Sequence, residues 1–210
     1  MATWLKTAIF VNNLCKKMLG LKLPTDPRWV NIAEKNIGEI LIDHAYCEQK
    51  AASSCISLIV QYPEKEKLVE ALTPVVAEEW GHFRMVLREL KKRGLALGRQ
   101  RKDEYVAQLA QLERKGEGPD KRFLDKLLIC ALIEARSCER FRLLSLHIAD
   151  EDLRQFYHDL MISEAGHYTN FIKLAKDYLP EAQVKQRLEE LLEAEAEIIA
   201  RLEVRDDRMH

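Results

Sequence analysis

Glu79-Trp80-Gly81-His82 and Glu164-Ala165-Gly166-His167 repeat one pattern, a glutamate and a histidine three residues apart within apolar stretches of helical period. A further glutamate precedes each, Glu48 by 31 residues and Glu134 by 30. On an α-helix, positions i and i+3 share a face, so each Glu-x-x-His aims a carboxylate and an imidazole in one direction. Four such helices together present four glutamates and two histidines. That is the ligand set of a carboxylate-bridged di-iron or di-manganese centre in a four-helix bundle.

A single Glu-x-x-His in a glutamate-rich helical chain means little, because such pairs arise on solvated faces. Two of them in matching halves, on apolar faces, mean more. Glu79 and His82 share a face with Val75, Val86 and Leu90, and Glu164 and His167 share one with Leu160, Phe171 and Leu174. Glu48 is flanked by Ala51, Cys55 and Leu58, and Glu134 by Cys130, Ala131, Ser137, Cys138 and Phe141. Inward carboxylates are costly unless compensated, and two Fe²⁺ ions would balance the four negative charges. One imidazole per metal in an otherwise oxygen-rich set suits an ion of higher coordination number better than tetrahedral zinc; it does not separate iron from manganese. Glu139 rivals Glu134 on its helix. Counted from the turn near Asp150, Glu134 and Glu164 lie at similar heights at roughly 1.5 Å per residue, whereas Glu139 lies above that level.

Neighbouring polar residues admit two readings. Glu78 is either an acceptor for a ligand histidine or a solvated side chain, and Asp43 and His44 are either supports for Glu48 or structural. Ala51, Cys55, Ala131 and Ser137 either leave room for dioxygen and a substrate group or permit close helix packing. Tyr46, Tyr157 and Tyr168 read as core or rim residues. No phosphate-binding glycine loop and no Ser/His/Asp arrangement is present.

Periods near 3.6 recur along the chain and strand signals are weak, so the chain reads as all-α and, at 210 residues, as one domain over 1–210. A first short helix ends near Gly20, and Leu23-Pro24-Thr25-Asp26-Pro27 starts the next, expected over 28–61. A partner helix is expected over 64–93, with Pro74 predicting a kink or broken turn. Residues 94–121 hold a short helix near 103–112 and the Gly116-Glu117-Gly118-Pro119 break, the long crossover of a ferritin-like bundle. Helices over 120–149 and 151–178 complete the core. An acidic last helix, 181–203, carries an apolar face of Leu188, Leu191, Leu192, Ile198 and Ile199.

Net charge is near zero but unevenly spread. Arg84, Arg88, Lys91, Lys92, Arg93, Arg99, Arg101 and Lys102 stand against Glu89 alone, while 189–207 is strongly acidic. The five cysteines, Cys15, Cys47, Cys55, Cys130 and Cys138, form no Cys-x-x-Cys pair and read as reduced core thiols. With neither a signal-peptide pattern nor a membrane-length apolar run, the expected location is the cytoplasm.

Several strings resemble one family. They are Leu23-Pro24-Thr25, Asp43-His44-Ala45-Tyr46-Cys47-Glu48-Gln49-Lys50-Ala51-Ala52, Glu79-Trp80-Gly81-His82-Phe83, Lys92-Arg93-Gly94, Glu134-Ala135-Arg136-Ser137-Cys138-Glu139-Arg140-Phe141 and Glu164-Ala165-Gly166-His167-Tyr168. Over roughly residues 20 to 205 the chain is similar to the tRNA 2-methylthio-N6-isopentenyladenosine hydroxylases, non-haem di-iron monooxygenases of ferritin-like fold. The family's usual Tyr-Ala near the crossover stands here as Tyr105-Val106. The resemblance implies an all-α ferritin-like four-helix bundle with extra N- and C-terminal helices and a long crossover. It implies Glu48, Glu79, His82, Glu134, Glu164 and His167 as ligands of two iron ions and as the catalytic set. It also implies dioxygen as co-substrate, an external electron donor such as a reductase, and a tRNA anticodon loop as partner. The basic stretch from Arg84 to Lys102 is the expected tRNA contact. A bacterioferritin-like iron oxidation or storage protein is the alternative, since it too carries two Glu-x-x-His pairs.

Overall fold

The computed structural model describes residues 19–210, and every regular element among them is an α-helix. The helices are α1 (Arg28–Lys35), α2 (Ile37–Gln61), α3 (Glu66–Lys92), α4 (Glu104–Ala110), α5 (Pro119–His147), α6 (Glu151–Tyr178) and α7 (Glu181–Arg201). The first short helix expected before Gly20, and Cys15 with it, lie outside the described residues. The chain divides into two compact units, one of residues 27–103 with 204–210 and the other of 104–203 with the segment before 27.

The first unit is built on the hairpin of α2 and α3. Its core stripe on α2 runs Leu41, Ala45, Glu48, Ala52, Cys55, and on α3 it runs Leu68, Leu72, Val75, Glu79, His82, Val86, Leu90, all buried. Glu48, Glu79 and His82 thus occupy positions that the 3.6 period assigns to apolar side chains. The helix expected over 28–61 is two helices. Asn36 leaves helical geometry at φ −125° and ψ 39°, and its side chain donates to Asp206. The α3 helix instead runs unbroken through Pro74, beside which the Thr73 hydroxyl donates to the Val69 carbonyl at 2.6 Å. It ends where expected: Gly94, at φ +68°, lets its own N–H reach the Lys91 carbonyl (3.1 Å) and the Leu95 N–H reach that of Leu90 (3.0 Å).

The second unit pairs α5 with α6. The stripe on α5 runs Leu124, Leu127, Ala131, Glu134, Cys138, Phe141, and on α6 Leu153, Tyr157, Leu160, Glu164, His167, Phe171, Leu174, again all buried. Pro119 occupies the first turn of α5, and Asp150 caps α6 by accepting from the Leu153 N–H at 3.0 Å. Arg136 is wholly buried and ties this unit together. Its Nε and Nη2 donate to Glu195 Oε1 (3.0 and 2.7 Å), Nη2 also to the Leu23 carbonyl (2.9 Å), and Nη1 to Thr25 and Glu139. Tyr105 adds a bond from its hydroxyl to Glu195 at 3.1 Å. The last helix therefore docks through a buried carboxylate as well as through Val184, Leu191, Leu192 and Ile198.

The crossover is anchored by Asp125, which accepts from Arg114 through its backbone N–H, Nε and Nη2 (2.8, 3.0 and 2.8 Å) and from Arg187 Nε (2.8 Å). Burial would raise its carboxyl, but the two guanidinium groups outweigh that and hold it below the usual carboxylate range. A depressed carboxyl stabilises the fold above its unfolded pKa, and that contribution is lost as pH falls through the folded value. Asp125→Asn should cost on the order of 3 kcal/mol at pH 7, because it leaves two guanidinium groups without their carboxylate. In urea titrations the difference from wild type should shrink as the pH is taken below about 4.

Candidate metal centre

In the first unit, Glu48, Glu79 and His82 each offer one ligand atom, and these atoms lie within 4.8 Å of one another. His82 Nδ1 is 3.4 Å from Glu79 Oε2 and 3.6 Å from Glu48 Oε2. His44, one turn before Glu48 and fully buried, holds the other side of that carboxylate, with Nε2 2.6 Å from Glu48 Oε1. His44 is thus a support for the Glu48 carboxylate. Asp43 turns elsewhere and accepts the Met209 N–H at 2.8 Å. Glu78 is exposed.

The second unit repeats the arrangement. Glu134, Glu164 and His167 are all buried, their ligand atoms again lie within 4.8 Å of one another, and His167 Nδ1 is 3.6 Å from Glu164 Oε2. The rival Glu139 is bound up elsewhere, accepting from the Thr25 N–H (2.9 Å), the Thr25 hydroxyl (2.7 Å) and Arg136. Burial first, and Glu134 next, push the thiol of Cys130, one turn before Glu134, up to about 12.

Charge shows what such a triad accommodates. Burial would raise the Glu48 carboxyl, but hydrogen bonds from His44 and His82 hold it well below the usual range. Burial would likewise lower His82, yet its bonds to Glu48 and Glu79 push it up to about 9. Two carboxylates against one imidazolium leave the triad short of positive charge, which a bound divalent ion would supply. Each unit provides two carboxylates and one imidazole, the donor mixture expected of half a di-iron or di-manganese centre.

A different set of residues, not foreseen in the sequence, gathers Cys47, Asp103 and His210. Lys50 Nζ lies 2.6 Å from Asp103 and already balances that carboxylate, so this set fastens segment 204–210 to α2. The basic stretch is also less uniform than its sequence implies. Lys92 and Arg93 both reach buried Glu89 at 2.6 Å, and Arg101 pairs with Glu39 and Asp207. Cys47, Cys55, Cys130 and Cys138 are free thiols, and among the described residues no helix is long and apolar enough to cross a membrane.

The two triads predict the outcome of ligand deletion. His82→Ala and His167→Ala should each reduce bound iron per chain at least severalfold after anaerobic loading, measured by plasma emission. Glu139→Ala, which removes a carboxylate held by Thr25 and Arg136, should leave iron content near wild type while lowering stability.

Comparison with known proteins agrees with this geometry. The family model for tRNA-(ms2io6A)-hydroxylase (MiaE) matches residues 12–210. A tRNA 2-(methylsulfanyl)-N(6)-isopentenyladenosine(37) hydroxylase of Pseudomonas putida is 41% identical over 179 residues, covering 85% of this chain and 86% of its own. One of Salmonella typhimurium is 27% identical, covering 85% and 83%. Among solved structures, a Synechococcus protein with aldehyde deformylating oxygenase activity superposes with a TM-score of 0.85 at 41% identity, covering 90% of this chain and 94% of its own. The fold class is therefore the all-α, ferritin-like one expected from the sequence. With the family model spanning nearly all of its length, the chain belongs to the tRNA-(ms2io6A)-hydroxylase family.

Proposed function

We propose that this protein is an oxygen-dependent tRNA hydroxylase of the cytoplasm, a single di-iron domain acting on the isopentenyl arm of 2-methylthio-N6-isopentenyladenosine beside the anticodon. The observation that carries this reading is the pair of buried Glu, Glu, His triads in a chain of that family. The names of the Pseudomonas and Salmonella relatives support the substrate, and the activity of the Synechococcus protein supports oxygenase chemistry. Iron storage, the alternative open to any chain with two Glu-x-x-His pairs, finds no support among these relatives.

In this reading Glu48, Glu79, His82, Glu134, Glu164 and His167 would hold two iron ions. Bound there, with an external electron carrier as reductant, the ions would supply activation of dioxygen strong enough for an unactivated C–H bond. The protein's own part is placement. His44 fixes Glu48 in one orientation, and the apolar stripe residues on either side of each ligand keep bulk water from the carboxylates. A stacked base cannot approach residues buried on a helix, so the target purine is splayed from the loop and offers its apolar arm.

Reduced, iron-loaded protein should convert the prenylated nucleoside in tRNA to a product heavier by one oxygen atom, and that atom should come from labelled dioxygen. Label arriving from water, or no product with full iron and a competent reductant, would sink the proposal; an aldehyde serves as the control substrate. Removing the metal with a chelator should abolish turnover. It should also lower the melting temperature, because an ion bound only by the folded state stabilises it.

A further inference from the structure

The basic stretch divides into two sets once its partners are known. Lys92 and Arg93 are committed to Glu89, and Arg101 to Asp207 and Glu39. Arg84, Arg88 and Lys91 are exposed on α3, and no carboxylate among the described residues pairs with them. Spaced four and three residues apart, they form one row along the helix, and one step before Arg84 in that row stands Trp80. The row from Trp80 to Lys91 covers roughly 16 Å at 1.5 Å per residue.

Trp80 is 47% exposed, an unusual position for an indole. On its protein side it meets buried Phe83, with ring centroids 4.9 Å apart and the planes tilted by 36°. The indole is therefore braced by the core while much of its surface faces water. An aromatic platform heading a row of uncommitted cations is the combination by which proteins hold single-stranded nucleic acid: the ring stacks an unpaired base and the cations follow the backbone. Duplex recognition would leave the ring unused, because paired bases present no free face. An acidic peptide would answer the cations alone.

We propose that Trp80, Arg84, Arg88 and Lys91 form the surface on which the anticodon loop docks, with an unpaired loop base stacked on Trp80 and loop phosphates along the three cations. This rests on the tRNA reading of the preceding section and names the residues that carry it. Trp80 directly follows Glu79 and lies two residues before His82, so a base held there is level, along α3, with the metal-binding residues of its unit.

The test uses iron-loaded protein and a labelled anticodon stem-loop RNA in fluorescence anisotropy. Trp80→Ala should weaken binding by about 5- to 150-fold, the range of one lost base stack, while Trp80→Phe should stay near wild type. Arg84→Glu/Arg88→Glu/Lys91→Glu should weaken binding and flatten the salt dependence by about three contacts' worth, roughly 2 units of slope. Lys92→Glu/Arg93→Glu should change both far less. Iron content and melting temperature of Trp80→Phe and of the triple variant should match wild type. If wild type binds the RNA and Trp80→Ala binds equally well, or loses only turnover, the docking surface is wrong. If the Lys92/Arg93 variant suffers more than the triple, it is wrong as well. Should wild type bind no RNA yet bind an acidic peptide through this row, the surface is a protein contact. Failure of the function itself reads differently: RNA binds through this row, but no oxygen enters the nucleoside.

Discussion

Carboxylates placed where a helix should be apolar are the constraint on which the rest of this structure depends. Each of the helices α2, α3, α5 and α6 interrupts its core stripe with glutamate, twice joined by histidine one turn on. Burying one ionised carboxylate without compensation costs several kcal/mol, a sizeable part of a domain's net stability. The protein compensates locally where it can, through His44 on Glu48 and through the charge that His82 takes up. In the proposed reading a bound cation would compensate the remainder, and metal binding and the stability of each unit would then be linked.

The same chain also buries charges that have nothing to do with metal, and the contrast is instructive. Arg136 and Glu195 are as deeply buried as the triads, but the guanidinium is matched by Glu195 Oε1, Glu139, Thr25 and a backbone carbonyl, and Tyr105 adds a bond to Glu195 Oε1. Such a network carries its own cation, although Glu195 Oε2 is left without a hydrogen bond. Its specificity is structural: it binds the segment before α1, the crossover helix, α5 and the last helix of its unit to one another. Glu139 and Glu134 lie on the same helix five residues apart, and what divides them is their surroundings: Glu139 meets Thr25 and Arg136, whereas Glu134 gathers with Glu164 and His167.

Much of this was legible in the sequence because it rests on period and local chemistry. Glu48, Glu79, Glu134 and Glu164 stand in register with apolar neighbours, and Pro63, Gly94, Pro119, Asp150 and Pro180 mark helix ends by rules that need no tertiary information. What was not legible depends on partners distant in the chain. The break at Asn36 is accompanied by a bond to Asp206, some 170 residues on. Glu195 reads as one more acid on an acidic helix until Arg136 appears opposite it. Pro74 predicted a kink or a broken turn on local grounds; the turn is not broken, and α3 continues through it, packed along its length by Leu72, Val75 and the residues beyond. The basic stretch looked uniform because sequence shows charge but not commitment, and Glu89, its one acid, is buried and engages two of its cations.

The division of labour around α3 bears on why a substrate for such a site should carry an arm at all. Successive residues on a helix are rotated by about 100°, so Trp80 faces solvent while Glu79 and His82 line the core stripe. A base stacked on the outer row is separated from the inner stripe by about the width of a helix, roughly 10 Å with side chains. A bare purine held on that row leaves the gap open, whereas a prenyl substituent narrows it and is apolar enough to enter the environment that protects the carboxylates. In the proposed reading, docking and chemistry are thus separated by a fixed distance built into one rigid helix. In that reading, selection for the modified base would follow from reach as well as from pocket contacts, because the arm carries its C–H bonds closer to the inner stripe than any atom of the bare purine.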